Sequence, residues 1–265
     1  VARTEAGPAK REGPLKDLPS EPKGEHLAKI KALGDNEWVE LGMPAADPKW
    51  GKARGRSWAP RMPYAPDMRG AFFTGEGPHG RVKPNGYGLD DVWFYDANQH
   101  RWICVYPGTP ARGGYKDMIS IDPETGFEVD SDGNPVPVAV GVHAYMQVTY
   151  DTDRKAFMRT TCGSYLGAKI KGRKEVQETY EEAKKKEKKV PEANQENTPA
   201  KNYKTPWIYD TVKHRWERYR CEKPHPRWKV TGFGSTLVYV PSVKKAFAFR
   251  KRSYAFGWYD PDKKA

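Results

Sequence analysis

The sequence predicts an all-β protein assembled from repeated antiparallel hairpin modules. Three observations predict it. First, Val92-Trp93-Phe94-Tyr95-Asp96, followed four residues later by Arg101-Trp102, returns as Pro206-Trp207-Ile208-Tyr209-Asp210 followed by Arg215-Trp216. It returns again, shortened, as Gly257-Trp258-Tyr259-Asp260. Second, a unit upstream of each copy also recurs. Ala65 to Phe73 matches Tyr150 to Met158, and both match Val240 to Ala248. Each is an apolar strand end, a Pro/Asp/Ser turn with a basic residue, and an apolar run opening on Ala-Phe, which is hairpin punctuation. Third, the apolar fraction is only 37%, yet aromatics reach 12% with nine Trp, so the core must be built largely from rings.

Joined, the two units make modules over 57–107, 140–221 and 231–265, within a repeat region of 36–265. Repetition at this scale points to four-stranded sheets arrayed radially, the blades of a propeller. Residues 1–35 precede them as an arm with a short helix. The Lys-, Glu-, Pro- and Gly-rich stretch 1–24 has too little apolar content to offset ordering, which predicts a disordered or draped arm. Residues 25–33 suit a short helix that stops at Gly34. Asn36-Glu37-Trp38-Val39-Glu40-Leu41 reads as a strand like those beginning at Trp102 and Trp216.

The crossing 42–64 is basic through Lys52, Arg54, Arg56 and Arg61. The Gly-rich stretch 75–90 has no GKS or GKT, so it reads as a connector and not as a phosphate cradle. In the long connection 108–139, Asp130-Ser131-Asp132-Gly133-Asn134 reads as a hairpin turn. Calcium ligation by Asp130 and Asp132 competes with that reading, but the terminal Glu of a twelve-residue calcium loop is missing. Module two carries an insertion at 167–203. Glu175 to Lys189 has a charged helical pattern, with Glu181/Lys185 and Glu182/Lys186 in the favourable order and no apolar stripe.

Candidate chemistry is sparse. His100 and His214 occupy one repeat position before the Trp and read as turn residues. His143 aligns with Trp58 and Phe233 at the start of each innermost strand. With Arg56 these are the candidate ligand-binding residues at a channel mouth, a packed core histidine being the plainer reading of His143. No HExxH, GxSxG or CxxCH occurs, and no metal or cofactor is expected. Cys104, Cys162 and Cys221 form no CxxC pair and read as buried thiols, with one disulfide plus one leftover thiol as the alternative. Of the +12 net charge, residues 211–265 hold 14 Lys/Arg against 4 Asp/Glu. Arg250, Lys251 and Arg252 form the candidate basic face. Such a field favours a protein or an anionic polysaccharide as partner. Nucleic acid is disfavoured because no reader motif accompanies the charge. No apolar run approaches the roughly 18 residues of a membrane span. The first residue is Val, which fits a processed or cut chain and makes an extracytoplasmic location the expectation.

On these residues the chain resembles the kelch-repeat family, including the bacterial branch similar to the central domain of galactose oxidase. In that family a Tyr and a Trp seven apart sit in the outer two strands of a blade. Here they are Tyr95/Trp102 and Tyr209/Trp216, with Tyr259 unpartnered and Trp38 as a matching ring on an early strand that closes the last blade. The family's double glycine appears only as Gly75-Glu76-Gly77. Its place is taken by Thr161-Cys162-Gly163 in module two and by Arg250-Lys251-Arg252 in module three. The resemblance implies a propeller, and three modules fall short of the four to eight blades of such rings. Either the polypeptide continues, or two copies complete the ring. The implied role is a non-catalytic binding or scaffold module. A copper radical oxidase is the competing reading, yet no Tyr here directly precedes a His, as that family's ligands require. A subunit of a larger extracytoplasmic assembly is the third.

Overall fold

The computed structural model describes residues 10–56, 59, 61–75, 91–108, 120–122, 128–137, 146–160, 206–218, 235–250 and 255–259. Expectations that fall on other residues, including the helix at 175–189, Cys162 and Cys221, lie outside the described residues. Three antiparallel meanders carry the fold. Sheet one is β1 (Tyr64–Ala65), β2 (Gly70–Thr74), β3 (Val92–Asp96) and β4 (Arg101–Tyr106), paired in chain order. A two-stranded ribbon follows, β5 (Ser120–Ile121) with β6 (Glu128–Val129). Sheet two is β7 (Val148–Asp151), β8 (Ala156–Arg159), β9 (Trp207–Asp210) and β10 (Arg215–Arg218). Sheet three is β11 (Ser235–Val240), β12 (Lys245–Arg250) and β13 (Ala255–Tyr259). The described helical residues are α1 (His26–Lys31) and short 3-10 turns at Gly13–Leu15 and Pro241–Val243. The fold is therefore all-β.

The hairpins share one turn chemistry. Arg69, Lys155 and Lys244 close the β1–β2, β7–β8 and β11–β12 turns at φ of 50°, 54° and 53°. His100 and His214 close the β3–β4 and β9–β10 turns at φ of 50° and 48°. A left-handed residue at the end of a four-residue loop returns the chain to the ladder. In three of these turns an Asp at the strand end stabilises the reversal. Asp96 Oδ1 accepts the Asn98 N–H at 2.9 Å, Asp151 Oδ1 accepts Asp153 and Arg154 at 3.0 and 2.9 Å, and Asp210 Oδ1 accepts Val212 and Lys213 at 2.9 and 3.0 Å. This is the Asx-turn preference of Asp in action.

The left-handed positions also correct the repeat alignment. Equating Arg69, Lys155 and Lys244 makes Phe157 the counterpart of Ala71 and Ala246, so matching the Ala-Phe letters misplaces module two by one residue. The ladders agree: Ala71 faces Tyr95, Ala246 faces Tyr259, and Phe157, not Ala156, faces Tyr209. One residue matters because it exchanges the two faces of a strand.

With the register corrected, each sheet carries one equivalent row. The rows are Tyr64-Ala71-Tyr95-Trp102, Tyr150-Phe157-Tyr209-Trp216 and Tyr239-Ala246-Tyr259. The row of sheet two packs against the opposite face of sheet one, where Phe72, Phe94 and Ile103 lie in one core with it. Phe72 stacks on Phe157 at 4.6 Å and meets Tyr150 and Tyr209 at 6.0 and 6.3 Å. The other face of sheet two, Met158 and Ile208, packs against Leu237, Tyr239, Ala246 and Ala248 of sheet three. Sheet two thus lies between its neighbours. Burying each of these large side chains contributes about 1.5–3 kcal/mol. The leading strands also meet. Met146, just before β7, pairs in parallel with Thr236 of β11, and the Leu237 N–H donates to the Met146 carbonyl at 2.9 Å.

The arm is draped rather than free over residues 10–24. Leu15 is fully buried in the core shared by sheets one and two. The Glu12 N–H donates to the Val212 carbonyl at 2.8 Å, and the Lys23 N–H to the Asn98 carbonyl at 3.0 Å. One apolar anchor and backbone hydrogen bonds to two hairpin turns hold a segment whose composition alone predicts little order. Gly13, at φ 65°, lies so close to the His214 ring that a Cβ would sit 2.1 Å from it.

The strand expected at residues 36–41 is not formed. Trp38 is 84% exposed, and the residues from Glu37 to Pro44 pair with no strand among the described residues. Pairing begins at Ala45, which lies parallel to Arg101. The Trp102 N–H donates to the Ala45 carbonyl at 2.8 Å, and the Cys104 N–H to Asp47 Oδ2 at 3.0 Å. The outer edge of sheet one is covered in this way, which blunts a row of open backbone groups.

Candidate functional site

Of the predicted ligand-binding set, Arg56 alone lies among the described residues. Trp58, His143 and Phe233 lie outside them. Arg56 is sealed: its side chain and that of Asp91 are both fully buried and form an ion pair. Arg56 Nη1 also donates to the Arg54 carbonyl at 2.7 Å, and its guanidinium lies 5.6 Å from the centre of the Phe73 ring. The Arg56 side chain is thus held by Asp91, the Arg54 carbonyl and the Phe73 ring. Of the basic face, Arg250 ends β12, whereas Lys251 and Arg252 lie outside the described residues. Tyr259 ends β13 opposite Ala246.

Asp130 and Asp132 form a turn. Asp130 Oδ1 accepts the N–H groups of Asp132 and Asn134 at 3.0 and 2.9 Å, and the Asn134 side chain reaches Oδ2 at 3.4 Å. Gly133 supplies the positive φ of 82°. These hydrogen bonds occupy the Asp130 carboxylate locally. No group of three potential metal ligands is found among the described residues.

A polar chain joins the first two sheets below the aromatic rows. Trp93 Nε1 donates to Asp91 Oδ2 at 2.6 Å, opposite the Arg56 contact on Oδ1. The Thr74 hydroxyl donates to the Asp91 carbonyl at 2.8 Å and accepts from Arg159 Nη1 at 2.7 Å. Arg159 also donates to the Pro137 carbonyl. Arg61, on the approach to β1, donates to the Leu237 carbonyl at 2.7 Å, so sheet one is tied to sheet three. Burial lowers the Arg61 pKa. Buried charges of this kind persist only when paired or hydrogen-bonded.

At the opposite end, where the short turns gather, a Tyr–Asp contact repeats between sheets. The Tyr150 hydroxyl of sheet two donates to Asp67 Oδ1 in the first turn of sheet one, at 2.8 Å. The Tyr239 hydroxyl of sheet three donates to Asp153 Oδ2 in the first turn of sheet two. Asp67 and Asp153 are equivalent, as are Tyr64, Tyr150 and Tyr239. Asp67 Oδ2 is further held by Arg11 of the arm at 2.6 Å. Burial, reinforced by the neighbouring Asp, pushes the Tyr150 and Tyr239 pKa values up. Both are held as phenols that donate and cannot act as bases near neutral pH. Sequence reasoning missed this contact, although its signal is present as Tyr-x-x-Asp at 64–67 and 150–153.

A second repeated contact lies within sheets one and two. Tyr95 pairs through its hydroxyl with His100 Nδ1 at 2.6 Å, and Tyr209 with His214 Nδ1 at 2.7 Å. The Trp102 and Trp216 rings lie 5.4 and 4.9 Å from these tyrosines. The arm reads both histidines: His26 of α1 stacks on His100 at 5.2 Å, and Gly13 packs on His214. Burial lowers the His214 pKa, opposed by Glu12. These arrangements hold the turns and the arm against the sheets. A scan of protein-family models finds no match to this chain, and a search of curated proteins finds no significant relative.

Proposed function

We propose that the stacked sheets are consecutive blades of a kelch-like β-propeller acting as a non-catalytic binding or scaffold module. The observation that carries this reading is the equivalence of the three rows. Each places a Tyr on the leading strand and a second Tyr two strands outward, and the two complete rows end in Trp. The parallel pairing of Met146 with Thr236 supports it, because blades around an axis bring their leading strands side by side. The perturbed groups described above are committed to structural contacts, which supports binding through loops over chemistry in a cleft.

The partner is a protein or an anionic glycan recognised by the basic C-terminal quarter, where 14 Lys/Arg face 4 Asp/Glu. The expected location is outside the cytoplasm. Titration with a polysulfated or polyuronate glycan tests the role. Micromolar binding that weakens steeply with salt is expected, as is weaker binding by a variant with Arg250, Lys251 and Arg252 changed to Ala. Absence of binding, or binding indifferent to salt, overturns the glycan assignment.

A further inference from the structure

We infer that the short-turn end of the three sheets carries a ladder of cations, Arg69, Lys155 and Lys244, along which an extended sulfated or uronate glycan lies. This placement rests on the glycan reading above and names the surface that takes the ligand. The three residues hold equivalent positions at the close of the β1–β2, β7–β8 and β11–β12 turns, all with left-handed backbone at φ of 50°, 54° and 53°. That conformation suits Gly or Asn and strains a long side chain. In all three turns the residue is nevertheless basic. Strain kept at equivalent sites points to a use for the side chain.

The other hairpins show what an internal use looks like. His100 and His214, also left-handed, meet the Tyr95 and Tyr209 hydroxyls at 2.6 and 2.7 Å. The three cations have no such role. The Arg69 guanidinium meets Glu21 at 3.5 Å, in a pair whose side chains are 45% and 72% exposed, and such a contact contributes little in water. Lys155 and Lys244 pair with no carboxylate among the described residues. Carboxylates at this end are instead turned to internal use. Asp96, Asp151 and Asp210 accept backbone N–H groups of their own turns. Asp67 and Asp153 are the latches that receive the Tyr150 and Tyr239 hydroxyls. Arg11 and Arg154 hold the second oxygens of Asp67 and Asp151 at 2.6 and 2.9 Å. The negative charge is thus offset inside the turns, while Arg69 and Lys244 are exposed and Lys155 is half-buried at the surface.

The spacing selects the kind of ligand. Sheets packed face to face lie about 10 Å apart, so equivalent positions on three stacked sheets set the charges at intervals of that order, over roughly 20 Å. A compact anion meets one of them. A linear polyanion meets all three at once, and each later contact is made at the high effective concentration set by the first. The turns 65–69, 151–155 and 241–244 contain no aromatic residue. Single-stranded nucleic acid is held by stacking its bases on such rings, so a glycan fits this surface better.

Titration of the 265-residue chain with dextran sulfate at several salt concentrations tests this, beside Arg69→Asn, Lys155→Asn, Lys244→Asn and the triple variant. Asn tolerates the left-handed backbone, so thermal midpoints should stay level or rise, and lost binding then reports lost charge. Each single variant should weaken binding about two- to fivefold. The triple variant should flatten the slope of log affinity against log salt by about 0.7–0.9 for each charge removed. Full binding by the triple variant, or a loss carried by one of the three positions alone, overturns the ladder and leaves the glycan reading standing. No binding by the unsubstituted chain removes both. Equal affinity for a polythymidylate of matched length overturns the choice of a glycan as the ligand.

Discussion

Tyr150→Phe isolates one inter-sheet contact with almost no change of shape. The substitution removes the hydroxyl that donates to Asp67 at 2.8 Å and leaves the ring against Phe72. A hydrogen bond to a charged acceptor in a part-buried site contributes about 1.5–3 kcal/mol. At about 2–4 °C per kcal/mol for a chain of this size, the midpoint should fall by roughly 3–12 °C. Thermal unfolding followed by Trp fluorescence measures it, since Trp207 and Trp216 lie in the same core. Tyr64→Phe supplies the internal control. It deletes the same atom at the equivalent position of sheet one, where the side chain is exposed, and should change dilute-solution stability by less than about 0.5 kcal/mol. Equal losses in the two variants would refute the reasoning, because the cost would then follow the residue type and not the latch.

The tyrosines also set an alkaline limit. Their raised folded pKa values favour the native state below the unfolded Tyr pKa of about 10, and that stability is lost as pH rises beyond it. Ultraviolet difference spectra should show Tyr150, Tyr209 and Tyr239 ionising only as the protein unfolds. His214 acts at the other end: its lowered pKa means stability falls as pH drops below about 6.5, and His214→Gln should flatten that slope in thermal scans. Asp91→Asn strands the buried Arg56 charge and should cost about 3–5 kcal/mol in denaturant unfolding. Leu15→Ala should cost about 2–5 kcal/mol and expose the arm to proteolysis, whereas a free arm would show neither effect.

The hairpin modules were legible because their turn chemistry is local. An Asp at the strand end and a basic residue or His before the next strand set both turn and repeat. The Tyr95/Trp102 and Tyr209/Trp216 pairs were legible for the same reason, being cross-strand neighbours of one hairpin. The one-residue offset in module two was not, because Ala156 mimics Ala71 in letters while Lys155 sets the register through its backbone. The docking of Leu15 escaped a composition argument because one side chain and a few backbone hydrogen bonds hold the segment. Trp38 misled because a strand-like pattern forms a strand only where an edge accepts it. The Arg56–Asp91 pair was not legible, because the two residues lie 35 apart and no local pattern joins them.

Coupling between successive sheets is the claim on which the account stands, and a double-mutant cycle on Tyr239→Phe and Asp153→Asn measures it. These residues are 86 apart in the chain and meet only if sheet three stacks on sheet two in the register described. The account predicts a coupling of about 1 kcal/mol or more. Strictly additive effects would contradict it.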